Sequence, residues 1–221
     1  MDKWYSIHEG DALELLSEDL EWRPDLIITD PPYAFGGEGD EHAISATVAV
    51  VLRESALRLK RGGWMVIMCA ASLRSEGYML ESVRGCGLTP VRRATWIKPA
   101  ARSKVTAAGW KWASVSVLVL RKGRAKAESV SALDWIKAPP LRVGRRARLP
   151  DAVSDWMVAP FVGCRAALDP FAGSGSLVAA CWRAGIPAIG FERRPDLLHE
   201  QIGLVHDEGL ANNGKARLWH T

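Results

Sequence analysis

Along most of the chain, short apolar runs alternate with stretches in which apolar positions recur every three or four residues. The runs at residues 4–9, 25–29, 64–69, 91–97, 114–120, 166–168 and 188–191 predict strands. The stretches at 12–18, 41–60, 72–86, 152–162, 176–184 and 196–205 predict helices. In the second of these, Ile44, Val48, Val51, Leu52 and Leu59 fall near helical spacing, and Arg61-Gly62-Gly63 ends it. Strands separated by helices imply an α/β fold with a doubly wound, mostly parallel sheet.

The segment 121–148 interrupts this pattern. It holds nine basic residues, Arg121, Lys122, Arg124, Lys126, Lys137, Arg142, Arg145, Arg146 and Arg148, against only Glu128 and Asp134. The net charge of the whole chain is +4, so everything outside the segment is slightly acidic. Pro139-Pro140 and Gly144 argue against a regular element there, and the segment reads as a basic loop inserted in a single domain of residues 1–221. The longest apolar run, 64–71, is far shorter than the ~18 residues that span a bilayer, and the amino terminus lacks a signal-peptide pattern. The expectation is a cytoplasmic chain with no membrane partner. Its four cysteines, Cys69, Cys86, Cys164 and Cys181, lack metal-ligand spacing and are expected as buried thiols, with no metal site.

Two motifs carry chemistry. Asp30-Pro31-Pro32-Tyr33 follows a predicted buried strand, and ligands of open α/β sheets bind at the carboxyl ends of strands. The prolines fix the backbone and remove two N–H groups, which leaves carbonyl oxygens free to accept. Asp30 adds an acceptor and Tyr33 a stacking face. Together they suit a planar heterocycle bearing an amino group. The second motif, Asp169-Pro170-Phe171-Ala172-Gly173-Ser174-Gly175, joins a strand to a helix; its glycines let the backbone approach a ligand closely. Glu192 ends the following predicted strand, where a carboxylate is placed to hold ribose hydroxyls. No Gly-Lys-Ser/Thr follows, which excludes a Walker loop, and the third glycine of the dinucleotide fingerprint is missing.

Together these motifs resemble the amino-methylating DNA methyltransferases. The tetrapeptide precedes the glycine loop, as in the permuted beta group of that family. The likeness extends over Gly10-Asp11-Ala12-Leu13 with Leu16, Leu59-Lys60-Arg61-Gly62-Gly63, Trp96-Ile97-Lys98-Pro99 and Leu118-Val119-Leu120-Arg121-Lys122-Gly123. Three departures stand out: Arg148-Leu149-Pro150 replaces a Lys-Pro pair, Ala113, Ser114 and Ser116 stand where a carboxylate is common, and the basic insertion is short.

The resemblance implies a Rossmann-like methyltransferase fold with permuted motif order, S-adenosyl-L-methionine as cofactor and double-stranded DNA as partner. Asp30, Pro31, Pro32 and Tyr33 would hold a flipped base. Asp11, Asp169, Phe171, Ala172, Gly173, Ser174, Gly175 and Glu192 would hold the cofactor: Asp11 its adenine, Asp169 its ammonium, Phe171 its methionine part and Glu192 its ribose. Lys98, Arg121, Lys122, Arg142, Arg145 and Arg146 are the expected DNA contacts, and Gly36-Gly37-Glu38-Gly39 reads as a lid. The resemblance favours adenine N6 as target because the tetrapeptide begins with Asp. Cytosine N4 is the alternative, with RNA methylation or a non-catalytic nucleic-acid-binding module behind it. Cytosine C5 chemistry needs a nucleophilic cysteine in a Pro-Cys pair, and the sequence has none. A homodimer and a cognate restriction nuclease are compatible with the resemblance without being required by it.

Overall fold

The structure, a computed structural model, describes residues 4–17, 23–32, 41–99, 113–124, 131–143, 146–194 and 215–216. The elements follow the predicted alternation. Strand β1 (Trp4–Glu9) leads to helix α1 (Ala12–Ser17), β2 (Leu26–Thr29), α2 (Glu41–Arg58), β3 (Trp64–Ala70), α3 (Leu73–Ser82), β4 (Leu88–Ile97) and β5 (Ser114–Lys122). Three short strands come next: β6 (Trp135–Lys137), β7 (Leu141–Val143) and β8 (Arg146–Arg148). The chain continues through α4 (Asp151–Val158), a 3-10 turn (Ala159–Phe161), β9 (Ala167–Asp169), α5 (Ser176–Arg183), β10 (Ala188–Glu192) and β11 (Lys215–Ala216). The helix expected over 196–205 lies outside the described residues.

Nine strands form one sheet in the order β11-β1-β10-β9-β2-β3-β5-β4-β6. All neighbouring pairs are parallel except those of β5, which runs antiparallel to both β3 and β4. Helices α1, α2 and α3 cover one face, where Leu52, Ile27, Met65, Ile67 and Phe191 are buried. Helices α4 and α5 cover the other, over Leu26, Ile28, Val66 and Met68. Each large apolar side chain removed from water contributes about 1.5–3 kcal/mol. The four buried residues of β2 explain why so short a strand sits at the centre: it is apolar on both faces, as a parallel strand between two helix layers must be.

Two local devices fix this centre. The Asp25 carboxylate accepts hydrogen bonds from the N–H groups of Arg165 (3.0 Å) and Ala166 (2.9 Å), which pins the start of β9 to β2. Gly190 in β10 lets α5 approach: a Cβ there would come within 2.8 Å of the Ala172 Cβ and 2.9 Å of the Val178 Cγ2.

Three expectations need correction. The segment 121–148 is not devoid of regular structure. β6 adds to the sheet edge beside β4, and β7 and β8 form a two-stranded ribbon. Pro139-Pro140 falls between β6 and β7, so the prolines separate short strands instead of preventing them. Helix α3 ends at Ser82, four residues early, because Gly85 and Gly87 adopt φ of 78° and 76° in the turn that follows. The helix predicted over 152–162 closes as a 3-10 turn containing Pro160, whose ring cannot continue an α-helix.

Candidate active site

The order of the sheet reverses between β9 and β2. The connection from β9 through α5 to β10 moves one way along the sheet, and that from β2 through α2 to β3 moves the other. Such a switch opens a crevice at the carboxyl ends of the strands. Asp30 follows β2, Asp169 ends β9, Glu192 ends β10, and Gly10-Asp11 follows β1. These residues, together with Pro32, Phe171, Ala172, Gly173 and Ser174, line one cavity of about 740 Å³. That volume lies within the roughly 300–1,000 Å³ of small-molecule sites. Gly175 caps α5, and with Gly173 it takes positive φ (73° and 52°), which turns the loop tightly between β9 and α5.

Backbone donors hold the carboxylates of this cavity. Glu192 accepts from the N–H of Gly173 (2.8 Å) through Oε2 and from that of Arg194 (2.9 Å) through Oε1. Strand β10 and the glycine loop are closed further by the Ala172 N–H bond to the Phe191 carbonyl (2.9 Å). Asp11 accepts from the Leu13 N–H (2.8 Å) through Oδ1 at the start of α1, while its Oδ2 lies 3.8 Å from Arg193. One oxygen of Asp11 is thus occupied by the helix start. Asp169 is 3 % exposed, and its Oδ1 accepts from the Thr29 hydroxyl (2.7 Å) and the Phe171 N–H (3.0 Å). Burial pushes its pKa up to about 7; those two hydrogen bonds oppose the rise, and the charges of Asp30 and Glu192 add to it.

Across the switch point the Asp30 end is built differently. Pro31 is buried and Pro32 exposed. Lys98, at the end of β4, lies over the Trp96 ring, 5.1 Å from its centroid. Burial lowers the pKa of Lys98, and the negative charge of Asp30 works against that lowering. Beneath, the Glu76 carboxylate of α3 accepts from the Ser116 hydroxyl (2.6 Å) and lies 3.4 Å from Arg93. The Cys69 thiol, buried on the same sheet, is pushed up to about 12 by desolvation first, then by Glu76 and Asp30. It stays protonated and is no nucleophile. All four cysteines are buried free thiols. Among the described residues no cluster of three His, Cys, Asp or Glu could hold a metal, and no helix is long and apolar enough to cross a membrane.

Not every expected site residue joins this cavity. Tyr33, Arg145 and the glycines 36, 37 and 39 lie outside the described residues. Arg142 and Arg146 are placed by their backbone on the β7–β8 ribbon. Arg121 and Lys122 do not line the cavity. Because β5 is antiparallel, its last residues lie toward the opposite end of the sheet from Asp30: Arg121 pairs with Trp64, which pairs with Leu26, roughly 13 Å back along the strand from Asp30 at ~3.3 Å per residue. There the Lys122 ammonium donates to the carbonyls of Ala56 (2.6 Å) and Leu57 (3.0 Å) at the end of α2, and Arg121 donates to the Gly123 carbonyl (2.9 Å). The charge count along the sequence could not see that reversal of direction.

With this geometry in hand, likeness to solved structures decides the fold. M1.HpyAVI, in a structure with SAM, superposes with a TM-score of 0.72 at 21% identity, over 91% of this chain and 98% of that one. A Thermus thermophilus protein assigned as a DNA modification methylase, complexed with S-adenosyl-L-methionine, superposes with a TM-score of 0.73 at 21% identity, over 98% and 100%. The cytosine-N4-specific PvuII DNA methyltransferase superposes with a TM-score of 0.65 at 16% identity, over 98% and 96%. The chain has the fold of the DNA methyltransferases. No family model matches it, and no curated protein matches it in sequence. Within that methyltransferase fold, sequence reasoning missed Thr29, Thr47, Val48, Val51, Leu149 and Arg193, which also stand at or behind the cavity. Thr29 alone left a signal, as the one polar residue in the apolar run 26–29.

Proposed function

We propose that the chain is an S-adenosylmethionine-dependent DNA methyltransferase acting on an exocyclic amino group, with adenine N6 as the target. The carrying observation is the convergence of Asp30 and Asp169 at the switch point, on either side of one cavity. The residues present suit the cofactor. Asp169 lines the cavity, and its Oδ2 accepts no hydrogen bond among the described residues, so a carboxylate oxygen is available to an ammonium group. Glu192 offers the remaining lone pairs of two backbone-held oxygens to ribose hydroxyls, Asp11 its second oxygen to an amine, and Phe171 an apolar face. When bound, S-adenosylmethionine supplies a methyl carbon made electrophilic by the positive sulfur.

The remaining work falls to the chain. A base in a duplex hides its amino group, and flipping it out costs a few kcal/mol. Asp30 and the Pro31 carbonyl accept the two amino hydrogens, which draws the nitrogen lone pair out of conjugation with the ring. Tyr33 stacks on the base. Rate then comes mainly from positioning and preorganised acceptors. Lys98, on the Asp30 side, and Arg142, Arg145 and Arg146 supply positive charge for the phosphates. The adenine reading rests on the Asp that opens the tetrapeptide. The PvuII enzyme is cytosine-N4-specific, so this fold also serves the other amine.

The test is transfer of tritiated methyl from the cofactor to duplex DNA by the purified chain. Acid-precipitable label that depends on Asp30 supports the reading. Cofactor binding without transfer to any DNA or RNA would favour a non-catalytic module.

A further inference from the structure

Thr29 is 0 % exposed, yet it carries a hydroxyl at the carboxyl end of a strand that is otherwise apolar. That hydroxyl has one acceptor, the Oδ1 of Asp169, at 2.7 Å and 140 positions away in sequence. The same oxygen accepts the Phe171 N–H at 3.0 Å, so two donors fix one oxygen of a carboxylate whose residue lines the cavity. Thr29 is also joined by a single peptide bond to Asp30. It therefore touches both halves of the site: the cofactor loop through its side chain, the amine acceptor through its backbone.

We propose that Thr29 is a positioning residue of the methyl transfer: its hydroxyl orients the Asp169 carboxylate toward the cofactor's ammonium group and ties the glycine loop to the strand that bears Asp30. This rests on the reading of the cavity as a cofactor site. Its physical basis is the cost of an ionised carboxylate in a buried place. Desolvation above all, with the charges facing it from Asp30 after β2 and Glu192 of β10 adding to it, raises Asp169 to about 7. Cys181 of α5, also facing it, is held as a neutral thiol by its own burial. The Thr29 hydroxyl and the Phe171 N–H oppose all of these. Without the hydroxyl the carboxyl takes up a proton at a higher pH, and a neutral acid has no charge to offer an ammonium.

Calorimetric titration of S-adenosylmethionine into wild type, Thr29→Val and Thr29→Ser between about pH 6 and pH 9 tests this, with thermal melts of each variant alongside. Thr29→Val is expected to bind about fivefold more weakly at pH 7 and about tenfold more weakly at pH 6, the change in charged fraction that a rise of one pKa unit from about 7 produces. It should recover much of that loss at high pH, with the midpoint of the affinity profile moved upward. Thr29→Ser, which keeps the hydroxyl, should return both affinity and midpoint toward wild type. A Thr29→Val profile identical to wild type overturns the proposal, and so does a uniform loss with an unmoved midpoint, which is packing alone. If Thr29→Val does not fold, a stable Thr29→Ser with a displaced midpoint overturns it equally. Failure of wild type itself to bind the cofactor overturns the cofactor reading and is told apart by that control.

Discussion

The two sides of the switch point are held by different means. On the β1, β10 and β9 side, backbone N–H groups answer each carboxylate: Gly173 and Arg194 for Glu192, Leu13 for Asp11, Phe171 for Asp169. On the β3, β5 and β4 side, charges are answered by other side chains near solvent, as in Arg92 with Asp134, Arg93 with Glu76, and Lys98 over Trp96. Backbone donors leave little freedom, so the first side is a preorganised pocket for one ligand. Long side chains on an open surface re-pair at small cost, typically below about 1 kcal/mol per exposed pair. Under the proposed function, that suits a surface for a polyanion. The contrast predicts large effects from single changes on or between the pocket residues and graded, salt-dependent ones on the open side.

The largest effect is expected at the boundary. Asp30→Ala removes one amine acceptor and should lower the methyl-transfer rate by about 10²–10³-fold or more. Cofactor affinity should stay within a few-fold, because Asp30 makes no part of the glycine loop. Calorimetry and transfer assays on the same preparation check this; parallel loss of both would erase the distinction between the two sides.

Next in size is pH. A carboxylate at about 7 that must be ionised to meet an ammonium binds fully above that pH and loses about tenfold in affinity per pH unit below it. The same raised value means the folded protein holds this proton more tightly than the unfolded chain does. Asp169 therefore opposes folding increasingly as pH rises from about 4 to 7, and bound cofactor should offset that. Melting temperatures with and without cofactor across this range measure both signs.

Glu192→Ala should weaken cofactor binding by about 1–3 kcal/mol. The loss is bounded because the alanine also releases the Gly173 and Arg194 N–H groups to water or ligand. Neutralising Arg142, Arg145 and Arg146 together should flatten the salt dependence of duplex binding, by about 0.9 in log–log slope for each phosphate that is no longer neutralised. Smallest of all, Lys122→Ala should leave that slope unchanged and lower stability by about 0.3–1 kcal/mol, since its ammonium sits at the carboxyl end of α2. A slope that falls on losing Lys122 would put DNA on the wrong end of the sheet.

The pocket side was readable in sequence because its devices are local. Asp169 through Gly175 is one continuous loop, Glu192 is the last residue of an apolar run, and Asp11 opens a helix. Asp30 and Pro32 were legible as cavity neighbours for the same reason, since both directly follow an apolar strand. What escaped was whatever depends on contact across the sheet. The bond from Thr29 to Asp169 spans 140 positions, and the Glu76–Ser116 pair spans 40. The placement of Arg121 and Lys122 also escaped, because nothing in a count of charges reveals that β5 runs antiparallel and carries them toward the far end of the sheet. The β6, β7 and β8 strands escaped because three residues are too few to show a period.

The claim at the centre is that Asp30 and Pro31 present an exocyclic amine to a methyl donor held by Asp169 and Glu192. Duplex DNA incubated with the protein and S-adenosylmethionine, digested to nucleosides and resolved by mass spectrometry, tests it most directly. The account predicts N6-methyladenine as the dominant new species. N4-methylcytosine would move the target while leaving the amine chemistry in place. 5-Methylcytosine, or no methylated base from a protein that binds its cofactor, would contradict the account.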